Sequence, residues 1–310
     1  MQTQSNTCVT TTLRWTFPPV SPHSDGMNRT ISNAAICLLL AFSVAQAGEK
    51  APLPPTRIAL ISDIHIMRGT NTTDRMKHRK HFDQAIAAVN AAKVDLALIA
   101  GDLTEHGTPE EMGDLKTQMK QLKAPAWFVV GNHDIGNKII PGKVETNSVQ
   151  SGRRLGRFEM RYGRSYWERE LPGLRVIGLN APLCGTGLPQ EKKMWNFLEK
   201  KLATPADKPT LVLLHFPPFI KNADEPGGDY FNLEPFPRQR LLSLIRQGGV
   251  SAVLSGHRHT QSLSHYNGML FVTSPPVAFG LPEGKQKEGW TLVTVSADGT
   301  ANAEFRYLSD

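Results

Sequence analysis

The sequence predicts an α/β fold whose strands deliver polar side chains to one edge of a sheet. Three observations lead there. Five apolar runs, Ile58-Ala59-Leu60-Ile61, Leu96 to Ala100, Trp127 to Val130, Leu211 to Leu214 and Ala252 to Ser255, have the length of buried strands. Each runs into a polar motif: Asp63-x-His65, Gly101-Asp102, Gly131-Asn132-His133-Asp134, His215 and Gly256-His257-x-His259. Amphipathic helical stretches separate the runs, so helices are expected on the sheet faces. Ligands at strand carboxyl ends gather where open α/β sheets hold their sites.

In chain order, a Pro-rich linker, Ala51 to Thr56, leads into the first strand. A helix follows over His78 to Ala92, with Phe82, Ile86 and Val89 spaced as an apolar stripe. The next helix, Pro109 to Leu122, has a clear start: Thr108 as N-cap, Pro109 in the first turn, then Glu110 and Glu111. Two more helices are expected, over Gln190 to Leu202 and Pro237 to Gln247, the second with Leu241, Leu244 and Ile245 on one face. The last third reads as strands without helices: Gln261 to His265, Met269 to Thr273, Thr291 to Val295 and Ala303 to Tyr307. Asn267-Gly268 marks a hairpin turn between the first two. A second, more antiparallel sheet is therefore expected from this region. Two segments, Ile135 to Arg164 and Phe219 to Pro235, lack periodicity and are read as functional loops.

The N-terminus differs from the rest. Met27-Asn28-Arg29-Thr30, the apolar stretch Ala34 to Val44, and Ala45-Gln46-Ala47 form the three parts of a secretory signal peptide, cleaved after Ala47. The apolar stretch is too short to span a bilayer, so the mature chain is expected to be exported, periplasmic or secreted, without a membrane anchor. Residues 1–26 are read as a non-translated or extended leader, 48–56 as a linker and 57–310 as one domain. Cys8 and Cys37 leave with the leader, and Cys184 alone cannot form an intramolecular disulfide. Composition is that of a globular chain, 40% hydrophobic and 20% charged, which argues against disorder and a membrane bundle. The net charge of +7 suits an anionic substrate, but no long basic run points to nucleic acid.

Two carboxylates, an amide and four imidazoles at one edge can share two divalent metal ions, with one carboxylate between them. Carboxylate and imidazole donors suit manganese, iron or zinc. Such ion pairs, about 3.5–4 Å apart, recur in phosphate-ester hydrolysis. The five motifs, in this order, resemble those of the calcineurin-like metallophosphoesterase superfamily, over Arg57 to Tyr307.

That resemblance implies a four-layer α-β-β-α sandwich of two mixed sheets flanked by helices. It implies one metal on Asp63, His65, Asp102 and His259, a second on Asp102, Asn132, His215 and His257, and a bridging hydroxide as nucleophile. It also places His133 just outside the metals, facing the leaving-group oxygen, with Asp134 orienting it. The stretch Phe128 to Gly136, and Asp229-Tyr230-Phe231-Asn232-Leu233 ahead of Val253 to His257, are similar to the animal calcineurin-like phosphoesterase-domain group, regarded as Ser/Thr protein phosphatases. Leu103 follows Gly101-Asp102, and no tyrosine stands where purple acid phosphatases carry theirs, so the ferric-tyrosinate group is not expected.

The arginines of the first long loop, Arg153 and Arg154 above all, are candidates for pairing with phosphate oxygens, and Tyr230 for contacting substrate from the second. His78 and His81, on a Lys/Arg-rich helix, are expected to be solvated. The function expected is metal-dependent hydrolysis of phosphomonoesters, of a phosphoprotein or a small phosphate ester. A cyclic-nucleotide or glycerophosphodiester phosphodiesterase is the nearest alternative. An inactive binding scaffold is the second, disfavoured because no ligand is missing.

Overall fold

A computed structural model describes residues 54–140, 142 and 152–309. The residues read as leader, signal peptide and cleavage site lie outside the described residues. The described chain forms two mixed sheets. The first has strand order β11-β10-β1-β2-β3, built from β1 (Thr56–Ile61), β2 (Leu96–Ala100), β3 (Ala126–Val129), β10 (Gly289–Val295) and β11 (Ala301–Tyr307). The second has order β4-β5-β6-β7-β9-β8, from β4 (Trp167–Leu171), β5 (Leu174–Gly178), β6 (Thr210–Leu213), β7 (Ala252–Ser255), β8 (Ser262–Tyr266) and β9 (Met269–Thr273).

Period-two alternation shows how the sheets sit. Ile58 and Leu60 of β1, Leu96 and Leu98 of β2, Leu211 and Leu213 of β6, and Ala252 and Leu254 of β7 share one buried cluster, so the two sheets face each other. Ala59, Ile61, Ala97, Ile99, Val212 and Val253 point the other way, into the cluster that holds the helices. Helices α1 (Thr72–Ala91) and α2 (Pro109–Met119) connect the parallel strands β1, β2 and β3. A short helix α3 (Asn132–Ile135) follows β3, and α4 (Gly152–Tyr162) precedes β4. Helices α5 (Pro189–Leu202) and α6 (Pro235–Gln247) connect the parallel strands β5, β6 and β7. The result is the four-layer α-β-β-α sandwich. Among the described residues no helix is long and apolar enough to cross a membrane.

Thr108 caps α2 as its sequence indicates, accepting from Glu111 N, while Glu111 returns a carboxylate to the Thr108 amide. Three expectations change. The last four strands do not make a sheet of their own: β8 and β9 extend the second sheet, whereas β10 and β11 return to pair with β1. The segment after α3 is not one loop, since it contains α4, seated by buried Leu155 and Phe158. His78 is not solvated: it is buried, shares its Nδ1 with the His65 carbonyl at 2.9 Å and stacks on Phe279. His81 is half-buried, its Nδ1 3.0 Å from the Ala278 carbonyl.

Candidate metal centre

All five motif loops leave the carboxyl ends of parallel strands, from β1, β2 and β3 of one sheet and β6 and β7 of the other. They meet where the sheets adjoin. Asp63, His65, Asp102 and His259 place one ligand atom each within 4.8 Å of one another, and Asp102, His215 and His257 do the same. Asp102 belongs to both groups. Its Oδ2 lies 3.6 Å from His65 Nε2 and 3.1 Å from His215 Nε2, while its Oδ1 accepts the His133 amide at 2.9 Å. Asn132 offers its Oδ1 3.1 Å from His215 Nε2. The seven residues read from the motifs therefore converge in two groups sharing one carboxylate.

The donor set fits two divalent ions. Each imidazole is held by the nitrogen it does not turn to the centre. His65 Nδ1 lies 2.8 Å from Glu105 Oε2, His215 Nδ1 2.7 Å from the Ala100 carbonyl, and His259 Nδ1 2.7 Å from the Phe279 carbonyl. These anchors fix the tautomer that leaves Nε2 as the ligating atom. His257 is reversed: its Nε2 meets the Tyr230 carbonyl at 3.1 Å, which leaves Nδ1 for the centre. His65 Nε2 and His259 Nε2 approach to 3.2 Å, close together for two lone pairs unless a cation lies beside them.

The electrostatics agree. Burial lowers the proton affinity of His215, but the charges of Asp102 and Asp63 outweigh it and raise its pKa to about 9. Burial and the neighbouring His215 hold His257 well below the usual imidazole range, in the state a metal needs. Burial works against ionising Asp102, yet His215, His65 and His133 hold its carboxyl well below the carboxylate range. A buried carboxylate kept ionised by its neighbours, beside the imidazole of His257 kept neutral by burial, offers the charge and the lone pairs that a cation takes.

His133 stands at the flank of this cluster, its ring centroid 4.6 Å from that of His65. The residue that orients it is not the expected one. Asp134 turns its carboxylate to the backbone, accepting from Gly131 N at 2.8 Å, Thr104 N at 3.0 Å, Thr104 Oγ1 at 2.8 Å and Leu103 N at 3.2 Å. It ties the Asp102 loop to the Asn132 loop instead. Burial and the Asp102 charge raise its pKa to about 6. Glu105 takes the orienting place: its Oε1 lies 3.3 Å from His133 Nδ1, and its carbonyl 3.0 Å from the same atom. Burial lowers the His133 pKa, but Glu105 and then Asp102 more than reverse this and carry it to about 10.

The other candidates separate. Tyr230 lies over His257 at 4.8 Å between centroids, and its hydroxyl accepts from Asn132 Nδ2 at 3.2 Å. Arg154 lines a cavity next to His133, whereas Arg153 is exposed and does not line it. Two buried cations escaped the sequence reading. Lys138 and Arg238, each 0% exposed, cap carbonyls of the segment that carries Tyr230. That segment is irregular, yet its backbone is tied down.

Gly131 shows why a glycine must stand between β3 and the ligand Asn132. A side chain there would collide with the Asp102 carboxylate and amide. Gly101 has φ +85° and would bring a Cβ to 2.6 Å from His215 Nδ1.

A family model described as calcineurin-like phosphoesterase matches residues 56–261. The Serine/threonine-protein phosphatase CPPED1 of Danio rerio is 30% identical over 242 residues, covering 73% of this chain and 72% of the relative. A protein of Arcobacter nitrofigilis named "Probable glycerophosphodiester phosphodiesterase GpdQ" is 30% identical over 224 residues, covering 70% and 77%. A solved dimetal phosphatase from Danio rerio shares the fold, with a TM-score of 0.51 at 14% identity, over 83% of this chain and all (100%) of that one. With its two ligand groups joined at Asp102, the chain belongs to the calcineurin-like phosphoesterase family and is a phosphoric ester hydrolase.

Proposed function

We propose that this protein hydrolyses phosphomonoesters at a dinuclear centre, and that it works outside the cytosol after removal of its leader. The observation that carries the reaction is the shared Asp102 between two ligand groups, with His133 beside them. Asp63, His65, Asp102 and His259 on one side and Asp102, Asn132, His215 and His257 on the other would hold two divalent ions, which would supply Lewis acidity and make hydroxide available from water near neutral pH. Only Asp63 and Asp102 bring negative charge to that set, so the occupied site stays positive and favours a dianionic phosphoryl group over a monoanionic diester.

Hydrolysis exchanges the ester P–O bond for a bond to a water oxygen, and the departing alkoxide takes up a proton. In this reading His133 gives it. Its Nδ1 is bound to Glu105, which leaves Nε2–H as the donor, and the Glu105 carboxylate beside it favours the protonated ring. Export rests on the sequence of residues 27–47 alone.

The phosphodiesterase relative keeps a second reading open on the same core, hydrolysis of a diester. The test is a comparison of 4-nitrophenyl phosphate with bis(4-nitrophenyl) phosphate on protein whose metal content has been measured. A higher kcat/KM for the monoester is expected. A higher value for the diester selects the second reading, and no turnover of either with two ions bound overturns both.

A further inference from the structure

Beside His133, away from the two ligand groups, lies a cavity of about 410 Å³ between the start of α2 and one face of α4. Its volume is that of a small-molecule site. Arg154, Arg157 and Arg161 line it, together with Phe158 and Tyr162. The arginines stand at i, i+3 and i+7, on one face of the helix, over a rise of about 10 Å. Like charges at this spacing repel and weaken an isolated helix. Among the described residues no carboxylate pairs with Arg157 or Arg161. A further cation, Lys116, sits over the Tyr162 ring at 4.4 Å.

The nearby acids do not neutralise Arg157 and Arg161. Asp134 is spent on backbone amides, and Glu105 on His65 and His133. Glu111 is bound to His106 and the α2 cap, and Glu159 accepts from Ser165. The cavity is thus a positively charged recess with aromatic walls, and it opens at the imidazole placed to protonate the leaving group.

Resting on the phosphoesterase reading above, we propose that this recess receives the leaving group, and that the leaving group carries its own anion. The substrate class is a small bifunctional phosphoester: an alcohol esterified to phosphate at one end and bearing a carboxylate or a second phosphate at the other. The ester phosphate sits at the ligand cluster, the linker crosses His133, and the distal anion meets the guanidinium groups of Arg157 and Arg161. Guanidinium forks pair bidentately with either anion, and the phenyl and phenol walls cover the linker. A recess of this volume is matched to a small molecule rather than to the length of a polypeptide.

The test uses the metal-loaded protein and two probe series, ω-carboxyalkyl and ω-hydroxyalkyl phosphates of about two to eight carbons. Because the two series share leaving-group chemistry, the ratio of their kcat/KM values reports the distal anion alone. At the optimal length the ratio should reach about 10–100, the worth of one or two charge-assisted bonds. It should collapse to about 1–3 in Arg157→Gln/Arg161→Gln and recover partly in Arg157→Lys/Arg161→Lys. Arg153→Gln, on the same helix but outside the recess, should leave the ratio as it was.

A ratio near one at every length, or a ratio that survives the double glutamine variant, overturns the proposal while steady turnover of the hydroxyalkyl series leaves the phosphoesterase reading intact. No turnover of any ester with two ions bound defeats that reading instead. The recess is then decided by calorimetric titration with ω-carboxyalkylphosphonates: binding that needs Arg157 and Arg161 supports it, and no binding overturns it. An acidic phosphopeptide cleaved faster than every small dianion overturns the small-molecule class. Circular dichroism and metal content of each variant separate a lost contact from a lost fold.

Discussion

Replacing Lys138 by methionine should both destabilise the protein and loosen one half of the metal centre. Lys138 Nζ is fully buried and donates to Glu234 Oε1 at 2.9 Å, to the Asp229 carbonyl at 2.6 Å and to the Asn232 carbonyl. Burial lowers its pKa and Glu234 opposes the shift, so the ammonium depends on that partner. Methionine fills similar volume but leaves a buried carboxylate and two carbonyls without their donor. Removing one member of a buried ion pair costs about 3–5 kcal/mol. For a domain of this size that corresponds to a fall in Tm of roughly 6–20 °C. Glu234 keeps its bond from Gly228 N at 2.9 Å and can take up a proton, which favours the lower half of the range.

The same change reaches the centre through the chain. Tyr230 lies between Asp229 and Asn232, and its carbonyl anchors His257 Nε2 at 3.1 Å. Loosening such an outer anchor lowers metal affinity about 10–100-fold. Urea unfolding of the metal-free protein reads the stability change, and competition with a chromogenic chelator reads the affinity. Lys138→Met/Glu234→Gln should be less destabilised than the sum of the two single variants by more than about 1 kcal/mol. A single variant within about 1 kcal/mol of wild type, or strict additivity in the cycle, would refute the pairing. Unchanged metal affinity would refute its reach to His257.

Asp102→Ala should drop bound metal from about two ions to less than one, measured by elemental analysis, because it belongs to both ligand groups. His133→Asn should keep both ions and lose about 10²–10⁴ in rate, most for alkyl phosphates and least for nitrophenyl phosphate; Glu105→Gln should show the same trend more weakly, and an equal loss on all leaving groups contradicts the proton-donor role. In metal-free protein, the raised His133 pKa stabilises the fold fully below the unfolded value of about 6.5 and loses that effect as pH rises towards about 10. The stability gap to His133→Asn should therefore narrow between those limits, and a constant gap contradicts the Glu105 contact. Asp63 has φ +53°, so Asp63→Gly should be more stable than Asp63→Ala by about 1 kcal/mol, both having lost the ligand; equal stabilities would mean the backbone is not strained. N-terminal sequencing of exported protein should find Gly48 first, and an uncleaved chain in the cytosol would rule out the signal peptide.

The strands and helices that were plain in the sequence are those whose local pattern and burial agree. The runs of β1, β2, β6 and β7 are buried throughout their central residues, and their ends coincide with the ligands. Strands β4 and β5 were both missed: Trp167-Glu168-Arg169-Glu170-Leu171 lies at a sheet edge with solvent on much of its length, and Leu174-Arg175-Val176-Ile177-Gly178, though buried, is short, is interrupted by an arginine and ends in no ligand motif. Helix α4 was missed because only Leu155 and Phe158 are buried, among four arginines and two glycines. Sheet membership of β8 to β11 is a matter of non-local pairing, which periodicity does not encode. Some signals were present and overlooked. His78 precedes Phe82 by one helical turn, on the same stripe that packs inward, so its burial was written in the spacing. Glu105 had no such signal: its role comes from the close approach of His65 and His133, which only the folded loops create.

The ligands themselves sit where local rules fail. Asp63, His65, Asp102, His257 and His259 all have positive φ, between 46° and 70°. Each non-glycine residue in that region costs about 1–2 kcal/mol, so the site stores several kcal/mol that its own loops must offset. They do so by holding one another. Ile64 N and His65 N both donate to the Asp102 carbonyl, at 2.9 and 3.0 Å, Asp63 N donates to the Gly101 carbonyl at 3.2 Å, and His257 N donates to the Asp63 carboxylate at 3.1 Å. The β1 loop is thus bonded to the β2 loop within its own sheet and to the β7 loop across the two sheets. A left-handed residue at the end of a strand turns the chain sharply while its side chain still faces the centre, which lets three of the five loops crowd their donors into a few ångströms. The strain is therefore part of what makes a dense ligand cluster possible. It also explains why the motifs could be read as a set of ligands without revealing the backbone that presents them: Asp and His tolerate this conformation, so the residue types that bind metal give no separate sign of the bend.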